Sequence, residues 1–199
     1  MNHSPNGWTD EVAVGGVERM TQVHESRCGL VGVYWFLGSE VALFGGLILA
    51  VLFLRWGSTN WIEGAGHLSS TTAILATACL LGATVSFGWA LRGAVARRWP
   101  LIVVSVVGSA FLVVKVSDYV EHWKNELRPD SGVFWAAYYL LTGLHAAHVL
   151  AGVFLAGFCA WMLARRDREK LRRWTRGLRL YWYFVDTIWF CLLALFYAG

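Results

Sequence analysis

The chain has 199 residues, 57% hydrophobic and only 15% charged, with 12 Trp and a formal net charge of +4. No soluble domain of this size needs so much apolar surface, whereas a polytopic membrane protein does. The four cysteines (Cys28, Cys79, Cys159 and Cys191) are too widely spaced for a disulfide framework or a paired metal motif.

Residues 1–28 read as a polar N-terminal segment of mixed charge. It lacks the basic start, short apolar core and small-residue cleavage site of a removable signal peptide. Gly15 and Gly16 argue against a stable helix there, so a loose cytoplasmic lead-in is expected. Residues 29–199 read as an all-α, five-helix transmembrane domain, with spans at about 30–54, 70–91, 100–122, 133–163 and 180–198. The fourth is longer than a bilayer core of about 30 Å requires, so it should tilt or project.

The first span holds Glu40 ten residues into its apolar run, near the bilayer midplane. A carboxylate at that depth costs about 2.5–3.5 kcal/mol on insertion scales, so it requires a partner, a neutralising proton or a role. Gly38, Ala42, Gly46 and Ala50 recur every fourth residue, as do Ala78, Gly82, Ser86 and Ala90 in the second span. Such stripes let helix backbones approach closely, so the first two spans are expected to pack along them. Glu40 lies on the far side of its helix from that seam.

The third span ends in KVSDYVEHW. Lys115 and Asp118, three apart, can neutralise each other on one face, and Lys115 is expected to snorkel toward the helix end. Glu121 and His122 should reach the outer headgroups, with Tyr119 between the two acids. The fourth span carries Thr142, His145 and His148 in YYLLTGLHAAHVLAG, and the last carries Asp186. Depth alone predicts Glu40 with His145 and Asp186 with His148. Azimuth is undetermined by sequence, so the exchanged pairing stays open.

Thirteen Lys and Arg fall on the side of the N-terminus and three (Arg55, Lys124, Arg128) on the other. The positive-inside rule then places the N-terminus in the cytoplasm and the C-terminus outside. The basic run RRDREKLRRWTRGLR becomes a membrane-surface loop, and no nucleic-acid partner is expected. Trp56, Trp61, Trp99, Trp123, Trp135 and Trp182 fall near span ends, as an interfacial aromatic belt requires.

The sequence supplies neither the clustered histidines of a membrane di-iron enzyme nor a haem-attachment motif. It also lacks a phosphate-cradling glycine loop and a nucleophile elbow. Intramembrane Glu, His and Asp also build ion paths, so a free-standing transporter or metal enzyme remains an alternative, although no inverted repeat is visible.

The stretches FLGSEVALFGG, SDYVEHW, YYLLTGLHAAHVLAG and YWYFVDTIWFCLLALFY together resemble subunit III of the haem–copper oxidases, in its five-span form. The resemblance implies a bundle with a lipid-binding cleft that docks beside catalytic subunit I and subunit II. It carries no cofactor of its own, haem and copper residing in the partners. The complex would be a cytochrome c or quinol oxidase of aerobic electron transport in a bacterial inner membrane. The resemblance also implies bound phospholipid near an oxygen route, and matches Glu40 to the family's carbodiimide-reactive carboxyl. Two positions depart from it. Asp118 stands where the family usually has Glu, and Lys115 where many members have Gln. Lys115 is similar instead to the nitric-oxide-reductase-associated branch.

Overall fold

The computed structural model describes residues 7–58, 61–90, 98–164 and 168–197, with side chains for 31–58, 61–89, 99–164 and 177–197. Among the described residues the chain is all-helical. It comprises α1 (Gly7–Trp56), the short α2 (Trp61–Gly66), α3 (Ser70–Ala90), α4 (Arg98–Lys124), α5 (Val133–Ala164) and α6 (Arg168–Tyr197). A 3-10 turn at Pro129–Ser131 joins α4 to α5. Five stretches are long and apolar enough to cross a membrane: Val31–Trp56, Ser70–Trp89, Trp99–Lys124, Val133–Ala164 and Gly177–Tyr197. Each overlaps one of the stretches read from the sequence, with ends that differ by a few residues.

The chain divides into two compact units, residues 1–38 and 39–199. In the first, the backbone from Gly7 onward is helical, where the Gly15–Gly16 pair predicted an interruption. The side chains of His3, His24, Cys28 and the basic residues at 19, 27, 92–98 and 165–176 lie outside the described residues.

In the second unit, α3 packs on α4, α4 on α5, α5 on α6, and α6 returns to α3. The buried stripe of α3 is Ala73, Ala76, Leu80, Ala83 and Phe87, a helical repeat that presents small residues to α4 and α6. Trp189 of α6 donates its Nε1 hydrogen to Thr77 Oγ1 at 2.9 Å, fixing the return contact.

The expected seam between the first two spans does not form. Ala42, Gly46 and Ala50 are exposed, and a Cβ added at Gly46 would meet nothing within 4 Å. Gly82 instead approaches Val107 of α4. The reason lies on the other face of α1, where fully buried Phe44 meets His148 at 5.2 Å and Phe184 at 6.0 Å, ring to ring. A large ring there holds α1 away from α5 and α6 and turns the small stripe outward.

At the end of α1, Arg55 donates to the carbonyl of Leu195 at 3.1 Å and lies over the Trp61 ring at 5.6 Å. Trp61 is buried against Phe134 and Phe196. α2 therefore plugs this end of the bundle between the start of α5 and the end of α6.

Trp182 corrects the aromatic-belt expectation. It is buried, and its ring fills the space left by two glycines, Gly108 of α4 and Gly152 of α5. Trp61 and Trp135 are buried too, while Trp56, Trp99 and Trp123 are exposed as the belt requires.

Gly152→Leu is expected to destabilise the protein by about 1–3 kcal/mol, because a Cβ there already lies 3.2 Å from both Trp182 and Tyr181. Thermal melting in detergent should show a lowered midpoint for that variant and none for Gly46→Leu.

Candidate functional site

The polar residues of the bundle gather at two levels. The first centres on Glu40. α5 projects His148 toward α1, and its Nε2 lies 3.0 Å from Glu40 Oε2. The other ring nitrogen, Nδ1, contacts the Leu144 carbonyl at 2.8 Å. With Nδ1 donating to that carbonyl, Nε2 holds a lone pair unless the ring is protonated. The contact therefore contains a shared proton, as a His⁺–carboxylate pair or as neutral imidazole with a carboxylic acid. Both side chains are mostly buried, at 14% and 17% exposure. Tyr181 of α6 donates to the carbonyl of His148 at 2.7 Å, which ties the same residue to a third helix.

The partner of Glu40 is thus His148, not His145. Three residues along a helix turn the side chain about 300°, so the two histidines point in directions about 60° apart. His145 turns inward, where Phe111 meets it edge-on at 5.7 Å and Trp189 stacks on it at 5.3 Å. It is fully buried, and neither ring nitrogen has a hydrogen-bond partner among the described residues. Asp186 pairs with neither histidine. It is buried on α6 beside Thr84 of α3, a hydroxyl that the sequence reading passed over.

The second level lies near the α4–α5 turn. Lys115 is only 2% exposed, so it does not snorkel. Its Nζ donates to Asp118 Oδ2 at 2.8 Å and to Tyr138 Oη at 2.6 Å. Tyr138 Oη in turn donates to Asp118 Oδ2. The ammonium also faces the rings of Tyr119, Tyr138 and Trp189 at 5.1, 4.8 and 5.9 Å. A buried amine is tolerated here because a carboxylate, a hydroxyl and three aromatic faces replace its water.

Thr142 donates to the Tyr138 carbonyl, so Tyr119 donates its hydroxyl hydrogen to Thr142 Oγ1 at 2.7 Å. His122 is buried as well, against Trp135 and Tyr138, rather than reaching the headgroups. Glu121 is exposed, as expected. Tyr138 is the member that sequence reasoning missed. Its only signal was its place one turn before Thr142 in an aromatic run.

The turn that sets this level is built from the sequence ELRPDSG. Glu126 takes a positive φ of 60° after the last turn of α4, and Gly132 takes a φ of 151° before α5. Ser131 Oγ donates to the Glu126 carbonyl and accepts from the Arg128 amide. Tyr139 reaches back to the Leu127 carbonyl at 3.0 Å. These bonds fix Asp118 opposite Tyr138. Among the described residues, no group of three or more His, Cys, Asp or Glu is arranged to hold a metal ion.

Comparison with known proteins adds an independent line. The family model for cytochrome c oxidase subunit III matches residues 7–199. The chain is 30% identical over 191 residues to cytochrome c oxidase subunit 3 of Corynebacterium diphtheriae, covering 90% of this chain and 92% of the relative. It is 26% identical over 198 residues to the probable quinol oxidase subunit 3 of Staphylococcus epidermidis, covering 90% and 93%. To the probable quinol oxidase subunit 3 of Staphylococcus aureus it is 24% identical over 188 residues, with the same coverage.

Removing one member of the buried ion pair should cost far more than removing both charges. Lys115→Met alone leaves Asp118 uncompensated and is expected to destabilise by about 3–5 kcal/mol. Lys115→Met with Asp118→Leu should recover most of that loss. Thermal unfolding of the two variants in detergent measures the difference, and equal midpoints would remove the pair from this role.

Proposed function

The chain belongs to the cytochrome c oxidase subunit III family, and from that membership we propose that it works as an accessory subunit of a haem–copper terminal oxidase. The observation that carries the reading is the match of one family over residues 7–199, together with relatives that are named as oxidase subunits. Those names support an oxidase partner over the reductase-associated branch suggested by Lys115. The electron donor is cytochrome c in the name of one relative and quinol in those of the others.

In this reading the chain stabilises the catalytic subunit I, with subunit II in the same complex, and the haem and copper belong to those partners. Phospholipid lies along α1, whose span is the least buried of the five. Apolar Val41, Leu43 and Leu49 are exposed there, on the helix that carries Glu40. Lipid at that surface would meet a carboxyl already sharing a proton with His148, and would screen that pair from water. The inequality of thirteen basic residues against three supports a cytoplasmic N-terminus and an external C-terminus. A bacterial inner-membrane location belongs to the same reading.

Purification from native membranes tests the reading: the chain should co-migrate with a haem-bearing catalytic subunit. Migration alone, with no haem partner, would overturn it. Within such a complex, Glu40→Gln should leave haem content unchanged and abolish most labelling by a hydrophobic carbodiimide. Unchanged labelling would remove Glu40 from the reactive position.

A further inference from the structure

A cavity of about 320 Å³ opens beside the second polar level, lined by His67, Ser69, Asp118, Glu121, His122 and Asn125. His67, Ser69, Glu121 and Asn125 are exposed at its mouth. Asp118 and His122 form its floor, at 4% and 5% exposure. The cavity therefore brings water to one side of Asp118, while the other side meets Lys115 and Tyr138 in the apolar interior.

The floor contains an unusual juxtaposition. His122 Nδ1 is buried and has no hydrogen-bond partner among the described residues. That Nδ1 lies 3.8 Å from Asp118 Oδ2, too far for a direct hydrogen bond. A ring nitrogen without a partner thus faces a carboxylate oxygen. A protonated ring carries N–H on both nitrogens, so protonation aims a charged donor at that carboxylate. The ring also rests against Trp135 at 5.0 Å and Tyr138 at 5.8 Å, faces that favour a cation.

We propose that this cavity is a proton-binding site open to the aqueous phase, in which the His122 ring takes the proton and Asp118 holds it there. The proton comes from water in the cavity. It bonds to the lone pair of the neutral ring, leaving hydroxide, or simply water when the donor is hydronium, and the imidazolium then points its Nδ1–H at Asp118. The buried cluster passes from Lys⁺, Asp⁻ and neutral His to a net gain of one positive charge. The groups that face the ring act on this uptake. α4 presents Lys115, which opposes it, and Asp118 and Glu121, which favour it. The α2–α3 connection presents His67. α5 presents Tyr138, with Tyr139 further along and Tyr197 of α6 behind, all neutral hydroxyls. The site stands on the cavity and the ring geometry, and it does not depend on the identity of the partner enzyme.

The test is isotope-edited infrared spectroscopy of the protein purified from native membranes with its partner and reconstituted in nanodiscs. Labelled histidine should give an imidazole band that changes between about pH 4 and 8, coupled to a carboxylate band. His122→Asn should delete both changes. A pH-difference spectrum unaltered by that substitution overturns the proposal. Ser69→Trp, at the exposed mouth, provides the second reading and spares the buried floor. It should slow deuterium exchange of the same band at least tenfold, and exchange as fast as in the unsubstituted protein overturns the cavity as the route.

Discussion

The buried contact among Lys115, Asp118 and Tyr138 is the constraint around which the bundle is arranged. An ammonium at 2% exposure in a membrane-spanning helix has no water to fall back on, so its partners must be in place whenever the helices are packed. Asp118 comes from the same helix, three residues on, but Tyr138 comes from α5 and the Trp189 ring from α6. Satisfying one amine therefore brings three helices to one depth. The α4–α5 turn follows from this requirement, since Tyr138 must arrive within one and a half turns of the start of α5. Ser131, Gly132 and Tyr139 build the turn that delivers it.

α1 obeys a looser rule. Its described span meets the other helices through Glu40 to His148, Phe44 to the rings of His148 and Phe184, and Arg55 to the end of α6. Two of these are polar contacts, one partway along the span and one at the helix end. In lipid such contacts carry specificity that apolar area cannot supply, because tails are as apolar as leucine. The ionisable pair thus has two uses at once. It satisfies a carboxyl that lipid would reject, and it registers a helix that otherwise touches its neighbours sparingly.

How much of this was legible follows from what each signal encodes. Span positions were readable because hydropathy over about 20 residues is a one-dimensional property. Depth placed Glu40 within a turn of its partner but named His145 instead of His148 and paired Asp186 wrongly, whereas the Lys115–Asp118 pair was readable because it is local to one helix. Azimuth was not. Whether His145 or His148 faces α1 depends on how α5 is rotated, which Phe111, Trp189 and Tyr181 decide from other helices. The small-residue seam failed similarly. Spacing shows that a stripe exists, but Phe44 on the opposite face determined which side of α1 turned inward. Tyr138 was hidden in an aromatic run, where nothing in the sequence distinguishes a hydrogen-bonding ring from a filling one.

The fit of Trp182 into the hollows at Gly108 and Gly152 has an evolutionary consequence. An indole on α6 lodged in notches on two other helices makes three positions change together or not at all. An alanine at Gly152 presses on the indole and one at Gly108 strikes Val153 beside it, while loss of the ring leaves two notches facing a void. Sequences descended from this one should therefore carry the two glycines and the tryptophan as a linked set, while the lipid-facing side of α1 is free to wander.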